Sequence, residues 1–428
     1  MKKRLGPLVD ILSGFAFDSA LFTSADAMPL IRIRDLGGSS TEANYLGPYR
    51  PEYVVENGDL LVGMDGDFEA VCWRGDRALL NQRVCKLSTR YPLELDQRYL
   101  YYSLIGEIKA IHAQVSATTV KHLSVKHLQE IEIRVPPPCE QCAIADILTT
   151  VDQAIEQTEA LIAKQRRIKA GLLHDLLTRG IDEHGHLRDP STHRFKPSPV
   201  GLVPEEWEVK PLTDLAEIGT GVTLGRTISG PDTIELPYLR VANVQDGYID
   251  LSEVKKIRVY HQEVPRFLLQ SGDVLMNEGG DYDKLGRGTV WRGQISPCLH
   301  QNHVFRVRTE RAMLLPDFLA LVSASAYGKR FFVLSSKQST NLASINSTQL
   351  KAFPVPLPSA AEQVSIVKVL GASDLVMETE GARLAKLQRL KAGLMQDLLS
   401  GWVSVAELAV RGDVPHHDTE ARDSGGVS

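Results

Sequence analysis

One segment of this chain occurs twice. Arg167-Ile168-Lys169-Ala170-Gly171-Leu172-Leu173 returns 222 residues later as Arg389-Leu390-Lys391-Ala392-Gly393-Leu394-Met395. The same shift carries Asp175-Leu176-Leu177 onto Asp397-Leu398-Leu399, Glu140-Gln141 onto Glu362-Gln363, and Pro136 onto Pro358. A constant offset over about 40 residues leaves no room for insertions or deletions. A continuous helix tolerates such changes least, and a loop tolerates them best.

Both copies read as long helices. In the first, Ile144, Leu148, Val151, Ile155, Thr158, Ile162, Gln165, Lys169, Leu172 and Leu176 alternate in steps of 4 and 3. In the second, Ile366, Leu370, Ser373, Met377, Glu380, Leu384, Leu387, Lys391, Leu394 and Leu398 do the same. The mean step of 3.5 is the heptad period of helices that pack on one another. The polar breaks Thr158, Gln165, Lys169, Ser373, Glu380 and Lys391 interrupt the seams, and Ile168 and Leu390 widen them. Neither copy holds an interior proline. Pro136-Pro137-Pro138 and Pro358 stand just before, Ser359 to Glu362 fits a capping box, and Gly180 and Gly401 are natural stops. From Glu140 to Thr178 is 39 residues, roughly 58 Å at about 1.5 Å per residue. These helices are expected to pack on each other as a coiled-coil spacer. The plainer alternative is that each packs only on its own domain.

The flanks repeat more loosely. Pro7–Ile11 resembles Pro211–Leu215, Pro29–Ile33 resembles Pro237–Val241, Gly58–Leu61 resembles Gly272–Leu275, and Asn81–Val84 resembles Gln301–Val304. The offsets drift through 204, 208, 214 and 220, so loops differ between short conserved pieces. These pieces read as strands, with Gly-Asp turns leading into Leu60–Val62 and Val274–Met276. Val304–Arg308 alternates apolar and basic residues, as a strand with one wet face would. The expected class is α+β: two mixed α/β domains separated by two long helices that pack as a coiled coil. The expected bounds are 1–139, helix 140–180, linker 181–204, second domain 205–360, helix 361–401, and a polar, disordered tail over 402–428.

The 428 residues are 43 % hydrophobic and 24 % charged, with net charge −5. That excludes wholesale disorder, and no apolar run approaches a membrane span. Five unevenly spaced cysteines and no visible signal peptide suggest a cytoplasmic protein. By segment the charge is −1, −1, 0, 0 and −3 over 1–139, 140–180, 181–360, 361–401 and 402–428. The acidity therefore sits in the tail, and the strand-rich units are close to neutral.

Catalytic signatures are missing: no phosphate-binding glycine loop, no nucleophile elbow, no zinc-protease helix motif. Cys139-Glu140-Gln141-Cys142 is a lone C-x-x-C whose repeat positions hold Ala361 and Val364. Structural zinc needs four ligands, so no metal is expected. Pro231-Asp232 followed by Glu253-Val254-Lys255 imitates a metal-dependent nuclease pattern, but E-x-K also occurs at Glu107–Lys109 and Glu208–Lys210.

A strand-rich unit, then P-[PS]-x-x-E-Q, then a helix ending K-A-G-L-[LM]-x-D-L-L, given twice, resembles the specificity subunit of a type I restriction–modification system. Phe195–Trp207 resembles that family's entry into its second target-recognition domain. The resemblance covers about residues 5–402. It implies a DNA reader without catalysis, in which each domain reads one half of a bipartite asymmetric site in double-stranded DNA. It also implies that the coiled-coil helices run antiparallel, with pseudo-twofold symmetry, set the half-site spacing and dock two modification subunits. Restriction (motor-nuclease) subunits can join. S-adenosylmethionine, ATP and Mg2+ would sit on the partners, none on this chain. The other class open to the sequence is a coiled-coil scaffold that binds no DNA.

Base edges are best read by Arg, Asn, Gln and Lys, and phosphates by Lys, Arg, Ser and Thr. The candidates are Arg32, Arg34, Arg83, Thr118, Thr119 and Lys121 in the first unit. In the second they are Arg240, Asn243, Gln245, Lys255, Arg258, Lys337, Ser339 and Thr340. Arg32 and Arg240 hold matched framework positions, so a structural role is open to both. Arg166, Arg167 and Arg389, with Leu172–Leu177 and Leu394–Leu399, are candidates for partner docking.

Overall fold

The computed structural model describes residues 2–66, 68–114, 122–280, 285–286, 288–338 and 343–410. The chain divides into two compact units, Met1–Glu159 with Ala382–Ser428, and Ala160–Gly381. The division falls inside both long helices, so each unit holds one half of each.

In the first unit, a four-stranded antiparallel sheet has the spatial order Val9–Ser13, Val84–Thr89, Leu60–Gly63, Ala70–Cys72. A second sheet places Met28–Ile31 between Ala43–Tyr45 and Ala78–Leu80, with Leu30 beside Leu79 in parallel. Lys2–Arg4 pairs with Glu132–Arg134 and closes the unit. The second unit repeats this plan. Its four-stranded sheet is Ala216–Thr220, Val304–Thr309, Val274–Asn277, Gly288–Val290. Its smaller sheet places Thr233–Leu239 between Lys255–Tyr260 and Leu299–His300, with Tyr238 beside Leu299 in parallel. Glu208–Pro211 pairs with Pro354–Leu357.

A tryptophan marks the same corner in each. The Trp73 amide donates to the Asp59 carbonyl at 2.8 Å, and the Gly58 amide to the Trp73 carbonyl at 2.8 Å. Trp291, Asp273 and Gly272 repeat both bonds, each at 2.8 Å. The turn glycines have φ of +92° and +99°, a region that L side chains rarely occupy. Both indoles are 1 % exposed.

The central helix spans Pro138–Thr178 and the C-terminal helix Ala360–Ser400. Seam residues Ile144, Leu148, Val151, Ile162, Leu176, Ile366, Leu370 and Leu398 are at most 9 % exposed. Ile155, Leu172, Met377, Leu384, Leu387 and Leu394 are half-buried. Within the first unit, Leu398 shares a core with Ile144 and Leu148, and Lys391 Nζ lies 2.6 Å from Asp152 Oδ1. Within the second, Leu176 shares a core with Ile366 and Leu370, and Lys169 pairs with Asp374. In each unit residue numbers rise along one helix as they fall along the other, so the segments run antiparallel. The two Lys–Asp pairs are related by the 222-residue shift in both members.

The repeated Glu-Gln explains itself in packing. Gln141 and Gln363 are each fully buried. Gln141 accepts from the Asp96 amide at 2.9 Å and donates to the carbonyls of Glu94 and Pro136 at 2.8 Å each. Gln363 accepts from the Leu315 amide at 2.9 Å and donates to Met313 and Pro358 at 2.8 and 3.0 Å. One amide thus satisfies three backbone groups that would otherwise be stranded inside the protein. The neighbouring glutamates anchor the end of the opposite helix. Arg134 donates to Glu140 at 2.8 Å and to the Leu398 carbonyl at 3.2 Å, against Gly401. Arg188 donates to Glu362 at 2.5 Å and to the Arg179 carbonyl at 3.3 Å, against Gly180. A Cβ on Gly180 would come within 2.2 Å of Glu362 Oε1. Both glycines have positive φ, the left-handed stop of a helix C-terminus.

Four expectations differ from the structure. Pro138 is the first helical residue rather than a preceding breaker, because a proline at that position lacks only a donor that would be orphaned anyway. The capping box at Ser359 is half made. The Glu362 amide donates to Ser359 Oγ at 3.2 Å, while its carboxylate is taken by Arg188, the Ile181 amide and the Trp207 indole. Val304–Thr309 is not half wet: all of its residues but Arg308 are buried, Arg306 is 4 % exposed and donates to Glu217 and the Arg266 carbonyl, and Arg308 is half-buried against Asp273. Within the linker, Phe195–Ser198 and Gly201–Pro204 form a hairpin, Val203 is fully buried and Arg188 is 7 % exposed. The tail is ordered at its start, where Val405–Val410 is helical and Val405 and Leu408 rest on the first unit's core. Residues 411–428 lie outside the described residues.

Candidate nucleic-acid interface

The matched arginines open matched turns. The Arg32 amide donates to the Asp35 carboxylate at 2.8 Å, and the Arg240 amide to Asn243 Oδ1 at 2.9 Å. The guanidinium of Arg32 pairs with Glu42 at 3.0 Å, and that of Arg240 with Glu253 at 3.2 Å. The Arg240 bond holds the Glu253 carboxyl below the usual glutamate range, with Lys255 adding to it. Both arginine side chains are 20 % exposed, so structural holding accounts for much of each.

Asn243 is corrected from reader to cap. It is 3 % exposed, and its amide donates to the carbonyls of Asp250 and Glu253 at 2.8 and 3.0 Å. With acceptor and donors committed inside the turn, it presents nothing to a base edge. Gln245 is half-buried and donates to the Ala242 carbonyl at 2.7 Å.

The remaining described candidates face solvent. Arg34 pairs with Glu42 at 3.4 Å, Arg83 with Asp65 at 2.8 Å, and Lys255 with Glu253 at 3.7 Å. Arg258 projects from the outer face of its strand, opposite Glu235, while Ile257 and Val259 turn inward. Lys337 is exposed at the start of the short strand Lys337–Gln338. Thr118, Thr119, Lys121, Ser339 and Thr340 lie outside the described residues.

The structure also gathers groups that the sequence did not single out. In the first unit, Asp65 lies just beyond the inner strand Leu60–Gly63. It accepts Arg83, and its other oxygen lies 2.6 Å from His122 Nδ1. In the second unit, Glu278 follows Val274–Asn277 and lies 2.5 Å from His303 Nδ1. Their backbones match: the Met64 amide donates to Arg83 and the Glu278 amide to His303, each at 3.0 Å. Beside the second pair opens a cleft of about 450 Å³ lined by Arg240, Gln301, His303 and Ser344. The alignment of Asn81–Val84 with Gln301–Val304 already pointed here, and the repeated Trp-Arg-Gly at 73–75 and 291–293 pointed to the tryptophan corners.

The nuclease-like pattern is not assembled. Asp232 precedes Thr233, which faces Tyr260, whereas Lys255 faces Tyr238 at the other end of the hairpin. Five residues of strand separate them, about 17 Å at about 3.4 Å per residue. Burial pushes the Cys85 and Cys298 thiols up to about 12, so neither supplies a thiolate near neutrality. Among the described residues, no group of three or more His, Cys, Asp or Glu side chains is placed to hold a metal ion.

Residues 1–164 and 204–389 match the family described as the type I restriction modification DNA specificity domain. The chain belongs to that family. It is 30 % identical over 406 residues to the EcoBI specificity subunit of Escherichia coli, covering 92 % of this chain and 84 % of that one. It is 26 % identical over 363 residues to the MjaVIII specificity subunit of Methanocaldococcus jannaschii, covering 83 % and 82 %. The fold matches the crystal structure of an S subunit from M. genitalium with a TM-score of 0.59 at 17 % identity, covering 93 % and 96 %. A chain from a structure addressing assembly and conformational transition of the type I R-M system gives a TM-score of 0.53 at 16 % identity. The chain is thus a DNA specificity subunit of a type I restriction–modification system, a non-catalytic component of that complex. No helix among the described residues is long and apolar enough to cross a membrane.

Proposed function

We propose that this specificity subunit reads a bipartite, asymmetric DNA site. One recognition domain, residues 1–139, takes one half-site and the other, residues 205–360, takes the second. The paired helices set the gap between them and dock two modification subunits. Restriction subunits join the same complex, and S-adenosylmethionine, ATP and Mg2+ belong to the partners. The observation that carries this reading is one framework used twice with unlike exposed side chains on it. A shared frame gives equivalent placement, and different side chains give different base preferences, as half-site readers require.

Arg34, Arg83, Lys255, Arg258 and Lys337 are the described candidates free to meet DNA, with Arg32 and Arg240 bracing the turns beside them. Thr118, Thr119, Lys121, Ser339 and Thr340 complete the proposed set. Both recognition segments are near neutral, so the partner subunits supply much of the phosphate grip. Arg166, Arg167 and Arg389 and the leucine-rich helix ends form the proposed docking surface.

The test is to lengthen the spacer. Seven residues inserted after Glu159 and seven after Gly381 add about 10 Å to each helix. The unread gap in the methylated site is expected to grow by about three base pairs, at roughly 3.4 Å each. An unchanged gap would refute spacing by helix length.

A further inference from the structure

We propose that Arg83 and His303 are equivalent base-reading residues, each aimed by the carboxylate beneath it, and that they give the two half-sites different demands at the same position. This rests on the bipartite reading above and assigns residues to it.

The equivalence is geometric. Each residue follows a strand that runs parallel to the same neighbour in its unit, Ala78–Leu80 beside Met28–Ile31 and Leu299–His300 beside Thr233–Leu239. Each receives through its carbonyl the amide of the residue leaving the inner strand. Each pairs with an acid from that same exit, Asp65 or Glu278. A third segment meets the exit in both units: His122 bridges Asp65, and Ser344 pairs with Gly279.

The layering gives the direction. Arg83 and His303 are each 56 % exposed, while Asp65 and Glu278 are 21 % and 29 % exposed. An acid beneath and a base outside is an aimed side chain. A bare carboxylate here would repel phosphate, and the base covers it. An ordinary surface ion pair has no reason to recur at one corner of two units whose surrounding loops diverged.

The chemistry of the two differs. Arg83 spends Nη1 on Asp65, and its half-exposed guanidinium has further N–H groups to offer as a fork that fits O6 and N7 of guanine. His303 spends Nδ1 on Glu278 and leaves Nε2 as its one outward polar atom. The fork discriminates among bases more sharply than the single atom. The first half-site therefore requires guanine at this position, and the second is more permissive at its counterpart.

Methylated adenines are mapped in cells expressing this chain with its modification partner, as wild type and as Arg83→Ala, Arg83→Lys, His303→Ala and Asp65→Asn. A wild-type motif without two half-sites would overturn the bipartite reading itself. Given a bipartite motif, Arg83→Ala is expected to relax one guanine in one half-site, lowering preference there roughly tenfold or more. Arg83→Lys keeps the charge and guards against misfolding; it is expected to relax the same position less. Asp65→Asn is expected to relax that position too, while His303→Ala changes only the other half-site. An unchanged motif in both Arg83 variants would overturn the assignment. So would a uniform loss of methylation at every site with Arg83→Lys, because that marks a phosphate contact rather than a base contact.

Discussion

The Glu-Gln pair that opens each long helix is the same in both units and makes matching contacts, whereas the residues at the rim of the recognition sheets differ. Gln141 and Gln363 make the same three bonds, and Glu140 and Glu362 each pair an arginine against the end of the opposite helix. Trp73 and Trp291 close the same corner. At the rim, Arg83 on Asp65 stands where His303 on Glu278 stands in the other unit. Such a division suits a molecule whose frame must be constant and whose readout must vary. Buried amide networks tolerate little change, because each lost partner strands a polar group, while an exposed ion pair can be exchanged at small cost.

The comparison is best broken at the tryptophans. Trp73→Ala and Trp291→Ala are each expected to destabilise their own unit by about 3–5 kcal/mol, as deletion of a large buried ring does. Chemical denaturation of the two variants checks this, and a large effect in one unit alone would show that the repeat is not energetically equivalent.

Acid should separate the units instead. Burial pushes the His300 imidazole down to about 4, whereas its counterpart in the first unit is Leu80. An unfolded histidine titrates near pH 6.5, so below that pH the unfolded state binds the proton first. The stability of the second unit should then fall as pH drops from about 6.5 to 4, by up to about 3 kcal/mol at about 1.4 kcal/mol per unit. His300→Leu should flatten that pH dependence in a melting series, and an unaltered slope would contradict it.

The glutamine staples should cost less but equally. Gln141→Ala and Gln363→Ala each open space for water to meet some of the three backbone groups, so the expected loss is about 1–3 kcal/mol, that of one unsatisfied buried group rather than three. Hydrogen exchange at the Asp96 and Leu315 amides reads the two sites separately, and faster exchange at only one would mark the staples as unequal.

Much of the frame was legible in the chain. The constant 222-residue offset exposed both helices, and the drifting offsets exposed strands between variable loops. What the sequence concealed was coverage. Val304–Thr309 alternates like a half-wet strand, but neighbours on both sides bury Arg306, and periodicity cannot report a second layer. Asn243 reads as a base contact by residue type, yet its place three residues after Arg240 makes it a turn cap. Arg83 was visible as a lone cation, but its partner Asp65 and the His122 that shares that carboxylate are distant in sequence and meet only in the fold. Trp-Arg-Gly repeated in plain view at 73–75 and 291–293, and its meaning came from the backbone bonds it closes.

The central claim is that one frame carries two unlike readers at a fixed separation. Long-read mapping of methylated adenines in cells expressing the wild-type chain with its modification partner tests it most directly. Two short, non-identical half-sites separated by an unread gap of constant length are expected. A single continuous motif, two identical halves, or a gap that varies from site to site would contradict it.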